Sequence, residues 1–162
     1  YTQAFPTAEI HGIDIGPAIL RYAHARAEAL GSAVNFHQRD AAATGFADES
    51  FDIVASHNAM HEFSQKTTEA MMRESFRLLR PGGVAIHLDV NIRYAELDAW
   101  MQFHRGWDQV NNNEPFWSSY ATNKPTEMLV SAGFPDDSVW EEKVQQLDGS
   151  LHWFIAAAQK PR

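Results

Sequence analysis

Short apolar runs separated by helix-length segments set the strongest limit on what this chain can fold into. Residues 9–14 alternate in polarity and stop at Gly16-Pro17, where proline suits the first turn of a helix. Residues 18–30 are rich in Ala and Leu, and Gly31 stands where a helix C-terminus is capped. "VNFHQR" at 34–39 reads as a second strand with Asp40 at its end, and 51–56 reads as a third. Residues 66–79 are helical in pattern until "RPGG" at 80–83 halts them, and the apolar run 84–90 is a fourth strand. Strands alternating with helices of this length predict right-handed βαβ units and a parallel sheet.

The last third changes character. Residues 94–120 read as an irregular, aromatic-rich segment, followed by a short helix over 125–132 closed by Gly133. Residues 139–147 and 151–158 flank Asp148-Gly149-Ser150, the pattern of a β-hairpin. A parallel sheet is therefore expected to finish with an antiparallel pair at its edge. That ending argues against a nicotinamide-dependent oxidoreductase, whose domain continues with further parallel units.

Composition narrows the function. A chain of 162 residues has length for one domain with a real core. A net charge of −8 speaks against non-specific binding to nucleic acid or to an anionic membrane, both of which need clustered Lys and Arg. With no cysteine, disulfides and thiolate metal sites are excluded. No apolar run approaches the roughly 20 residues of a membrane span, and no signal-peptide pattern is present, so a cytoplasmic location is expected.

Four segments in order, "EIHGIDIGPAIL", "HQRDAAATGFADESFDIVASHNAMHEF", "RLLRPGGVAIHLDV" and "LVSAGF" with the terminal hairpin, resemble the class I methyltransferases that use S-adenosylmethionine, particularly their small-molecule group. The pairing of "FADESFDIV" with "LLRPGG" is the more specific part of the likeness. The resemblance implies an α/β, Rossmann-like, mostly parallel sheet with helices on both faces and a C-terminal antiparallel hairpin. It implies one domain over 1–162 with a substrate-cap insertion at 94–122. The activity it implies is methyl transfer from S-adenosylmethionine, leaving S-adenosylhomocysteine, to a small-molecule acceptor. The family's first strand and glycine-rich turn have no counterpart here, because "YTQAFPTAEIHGID" matches the segment just after them. Since that strand is central to the family's sheet, a longer native chain, or another segment completing the sheet, is expected. The same departure motivates an alternative, a non-catalytic module that binds the cofactor or a partner.

A carboxylate at the C-terminal end of a parallel strand lies in the crevice where ligands bind, and an ionised one accepts from two vicinal hydroxyls. The resemblance gives the cofactor's ribose to Asp14, with Ile15 against the adenine, and the adenine amino group to Asp40, with the Ala41 N–H beside it. The other readings are that Asp14 caps the following helix and that Asp40 bonds its own turn. Ser56 and His57 fall where the family touches the amino-acid part of the cofactor.

In "HNAMHEF" the two histidines stand four apart, a spacing that shares one helix face and invites a metal. The order is not H-E-x-x-H and no third ligand is evident nearby, so no metal is expected. His61 and His104 are the candidate general bases, since imidazole titrates near neutrality; the other reading of His61 is a packed histidine. Asp89, near the C-terminal end of its strand, is expected to border the pocket. Trp100, Trp107 and Trp117 are expected to enclose a planar or apolar acceptor. The competing reading buries these aromatics against the domain or in a homodimer contact.

Overall fold

The computed structural model describes residues 1–90, 98–145 and 152–162. It divides into two compact units, Tyr1–Gly45 and Phe46–Arg162.

The first unit is a βαβ motif. Strand β1 (His11–Asp14) leads into helix α1 (Pro17–Ala29), and β2 (Asn35–Gln38) pairs parallel to β1 with Asp14 opposite Gln38. Pro17 fills the first helical turn, where a missing N–H costs nothing, and Gly31 follows the helix at φ +63. A cavity of about 320 Å³ opens beside the N-terminal ends of the two strands, near Ile10 and Asn35, at the opposite end from Asp14.

In the second unit, β3 (Phe51–His57) pairs parallel with β4 (Leu79–Val90). Strand β4 pairs antiparallel with β6 (His152–Gln159), which pairs antiparallel with β5 (Val139–Gln145), giving the order β3-β4-β6-β5. The expected antiparallel pair therefore closes the sheet edge; Asp148-Gly149-Ser150 lies outside the described residues. With parallel pairs β1–β2 and β3–β4, the fold is α/β and Rossmann-like.

Helix α2 (Gln65–Leu78) begins where Ser64 Oγ accepts from Thr67 N at 3.2 Å. Its inward face carries Thr68, Met71, Met72, Ser75 and Leu78, all buried. Each apolar member contributes roughly 1.5–3 kcal/mol by leaving water. The "RPGG" segment ends the helix at Leu78 as expected, but β4 already begins at Leu79. The pairing jumps from Phe51–Leu79 to Ile53–Val84, so residues 80–83 form a bulge inside the strand, with Gly82 at φ +84.

Two helices replace the irregular aromatic segment. Asp98 Oδ1 accepts from Met101 N at 2.8 Å and starts α3 (Ala99–Asn111). The aromatics at 100, 103 and 107 and Val110 recur at helical spacing, a period masked by the expectation of a loop. Asn113 adopts φ 57 just past the helix end, a left-handed position asparagine tolerates. The short α4 (Trp117–Tyr120) follows, tied back by Gln109 Oε1, which accepts from Ser118 N at 3.1 Å. Helix α5 (Pro125–Ala132) ends at Gly133, φ +118, against the Phe76 ring. Among the described residues no helix is long and apolar enough to cross a membrane.

Candidate active site

The polar centre of the second unit is built on β4. Its alternation sends Ala85, His87 and Asp89 into the interior, each 1% exposed or less. Two polar side chains on a buried face need partners. Asp89 has four: Met60 N donates to Oδ2 at 2.7 Å, His61 N to Oδ2 at 3.3 Å, Val90 N to Oδ1 at 2.7 Å, and His61 Nδ1 lies 2.6 Å from Oδ1. The backbone brings these donors together by a specific turn. After β3, Asn58 takes φ 53 while its N–H bonds Leu88 O at 2.9 Å, and Met60–Glu62 form a 3-10 turn over the end of β4.

An ionised Asp89 accepts the Nδ1 proton, so the lone pair of His61 resides on Nε2. Burial lowers the pKa of His61, but the Asp89 hydrogen bond and charge, with help from Glu62 and Glu114, raise it above the ordinary value. Trp117 and Tyr120 from α4 meet the imidazole edge-on, with ring centres 5.1 and 6.3 Å away, and Tyr120 Oη donates to Val90 O at 3.1 Å. Nε2 faces Glu62 Oε1 at 3.5 Å. Burial, with the neighbouring Glu62 charge, raises the Glu114 carboxyl above its usual range.

Several expectations change here. Asp89, expected to border the pocket, is 0% exposed and lies beneath His61, bonded to its imidazole. His57 and His61 do not share a helix face, because His57 ends β3 and packs its ring 5.3 Å from Trp153. Of the three tryptophans, only Trp117 joins His61; Trp100 and Trp107 stand on α3 at 67% and 50% exposure. His104, also on α3, lies 3.3 Å from Asp108 Oδ2 one turn on, with half of its side chain exposed. Glu62 and Glu114 were missed. Glu114 comes from 53 positions after His61 in the sequence, so no local spacing announces it.

His87 is a second buried histidine. Its Nδ1 meets Ser56 Oγ at 2.9 Å, Nε2 has no hydrogen-bond partner, and burial pushes its pKa down to about 4. Ser56, expected to touch a cofactor, thus also holds this ring.

In the first unit, Asp14 and Asp40 stand at or just beyond the C-terminal ends of neighbouring parallel strands. Asp14 Oδ1 accepts from Gly16 N at 2.6 Å and Asp40 Oδ1 from Ala42 N at 2.8 Å. Each carboxylate thus bonds its own turn through Oδ1 and keeps Oδ2 for something else. Ile15 beside Asp14 is 71% exposed, an apolar surface next to two acceptors. The set suits an adenosine: acceptors for ribose hydroxyls and an exocyclic amine, and an aliphatic face for a purine.

Residues 1–83 match the family model described as a methyltransferase domain. The chain is 37% identical over 84 residues to a demethylmenaquinone methyltransferase of Thermus thermophilus, covering 52% of this chain and 37% of the relative. It is 32% identical over 133 residues to a malonyl-[acyl-carrier protein] O-methyltransferase of Methylococcus capsulatus, covering 80% of this chain and 44% of the relative. The chain thus spans well under two thirds of either relative's length. Among solved structures, a SAM-dependent methyltransferase from Methanosarcina mazei superposes with a TM-score of 0.71 at 18% identity, over 98% of this chain and 85% of that one.

Proposed function

The chain belongs to the methyltransferase-domain family, and on that premise we propose that it transfers the methyl group of S-adenosylmethionine to a small-molecule acceptor. The observation that carries this reading is the pair of strand-end carboxylates, each with one oxygen unengaged, beside the exposed Ile15. In the proposal Asp14 Oδ2 accepts from the ribose hydroxyls, Asp40 Oδ2 from the adenine amine, and the Ala41 N–H donates to the ring. Ser56 and His57 receive the amino-acid end.

When bound, S-adenosylmethionine supplies an electrophilic methyl group on a sulfonium sulfur. The chain's own task is then to position the acceptor and manage its proton. His61 Nε2 takes a proton from an acceptor hydroxyl or amine. Asp89 is a positioning residue that keeps the lone pair on that nitrogen and stabilises the imidazolium formed. Trp117 and Tyr120 wall the imidazole, and residues 94–122 serve as the cap that brings Trp100 and Trp107 to the acceptor. The small-molecule class agrees with the demethylmenaquinone methyltransferase named above.

Calorimetric titration with S-adenosylhomocysteine tests the premise. Saturable binding is expected, weakened by about 1–3 kcal/mol in Asp14→Ala, the usual effect of losing hydrogen bonds to a charged group. Binding equally strong in Asp14→Ala removes the ribose assignment. No binding by the folded full-length protein removes the methyltransferase reading and favours a module that binds a partner instead, whereas no binding by residues 1–162 alone shows only that the missing glycine-rich turn matters.

A further inference from the structure

Carboxylates crowd the open side of His61. Its Nε2, a Glu62 oxygen and a Glu114 oxygen all lie within 4.8 Å of one another. Glu114 Oε2 is buried and accepts no hydrogen bond. A buried acceptor left empty costs about 1–3 kcal/mol, and the facing Glu62 charge adds repulsion. His61 itself is 9% exposed, and Asp89 occupies its other nitrogen, so Nε2 is an oriented donor aimed at the two glutamates.

We infer that His61 Nε2, Glu62 and Glu114 bind a divalent transition-metal ion, with Asp89 as the outer partner that fixes the imidazole. A metal-bound histidine almost always gives its second N–H to a carboxylate or carbonyl, which is the arrangement Asp89 provides. One neutral imidazole and two carboxylates carry a charge of about −2, which a divalent ion neutralises. A mixed nitrogen and oxygen set suits Mn²⁺, Fe²⁺ or Zn²⁺ better than Mg²⁺ or Ca²⁺. Ligand bonds of about 2.1 Å bring donor atoms within about 4.2 Å of one another, so the site must tighten slightly. The Glu62 side chain, 52% exposed, has the freedom to swing in, and its exposure provides an entry path.

Three protein donors leave coordination positions for water or for an acceptor oxygen. An acceptor hydroxyl bound there would be acidified by the ion and lose its proton to solvent water, so the loaded site replaces Nε2 as the means of deprotonation. This consequence rests on the methyltransferase reading; the binding of the ion does not.

The test is a Mn²⁺ titration of the chelator-treated chain followed by electron paramagnetic resonance, with Zn²⁺ as competitor. One saturable site per chain is expected. Glu62→Gln and Glu114→Gln should each weaken it at least about tenfold, and Asp89→Asn by about 10- to 100-fold. Glu62 is exposed, so its variant remains informative even where a buried replacement fails to fold. No saturable binding of either ion by the folded chain, or equal affinity in Glu62→Gln and Glu114→Gln, overturns the proposal. S-adenosylhomocysteine titrated into the same sample separates the two readings: retained cofactor binding without a metal site sinks the metal alone.

Discussion

The two halves of the candidate machinery are supported in opposite ways. Every buried apolar side chain among the described residues lies in the second unit, where Met72, Leu79, Leu129 and Phe134 are at most 1% exposed. In the first unit Ile15, Ile19, Tyr22 and Leu30 are 60% exposed or more, and the sheet has two strands. Two strands and one helix bury too little apolar surface to be rigid by themselves. The His61–Asp89 pair therefore sits on a packed base and needs no rearrangement to hold its tautomer. Asp14 and Asp40 rest on local turns, and a ligand that engages them adds order as well as affinity. In the roles proposed above, binding residues tolerate such support, whereas a proton-handling residue, whose geometry must be held closely, does not.

The largest expected effect comes from removing the keystone of the rigid half. Asp89→Ala leaves the Met60, His61 and Val90 N–H groups and the imidazole without their acceptor at a position that is 0% exposed. A loss of about 3–5 kcal/mol in urea unfolding is expected, the scale for stripping one partner from a buried charged network. Asp89→Asn keeps an acceptor oxygen and should lose less. A loss below 1 kcal/mol in Asp89→Ala would erase the contrast between the units.

The same strand carries the next effect, a pH dependence. His87 has a folded pKa lowered to about 4 by burial, below its ordinary 6.5. Between those values the unfolded chain binds a proton that the folded chain refuses. His87 therefore destabilises the fold as pH falls from 6.5 towards 4, by up to about 3 kcal/mol, and adds nothing further below that. Unfolding midpoints measured across that window should slope, and His87→Gln should flatten the slope. A slope unchanged in His87→Gln would show that the ring reaches water through its unpartnered Nε2.

The alternation of strands and helices was legible because each rests on local chemistry: Pro17, Gly31, Gly133 and the apolar periods act within a few residues of themselves. The aspartates at the strand ends were legible for the same reason. Asp89 was placed correctly on its strand but its burial was not foreseen, since period two gives the face but not what covers it. What covers it is the turn at Met60–Glu62, made by the left-handed Asn58, and nothing in "HNAMHEF" distinguishes that turn from a helix. Glu114 was illegible because it reaches His61 only through α3, α4 and the turn at Asn113. Residues 111–113 are the helix terminus that makes the approach possible.

The smallest expected effect is the most useful check on the comparison, because it tests an absence of support. Ile19 is 60% exposed on α1, a helix without a single buried side chain. Truncating it to alanine removes little packing, and alanine's better helix propensity offsets part of what is lost. Ile19→Ala should therefore change the urea midpoint by no more than about 0.5 kcal/mol. The matched truncation in the second unit, Leu129→Ala at a residue 0% exposed, should lose about 2–5 kcal/mol. If Ile19→Ala instead loses more than about 1 kcal/mol, the helix face is covered in solution by something other than the described residues, such as a second copy of the chain. Sedimentation would separate these cases: a loss that vanishes on dilution belongs to self-association, and one that persists belongs to the chain itself.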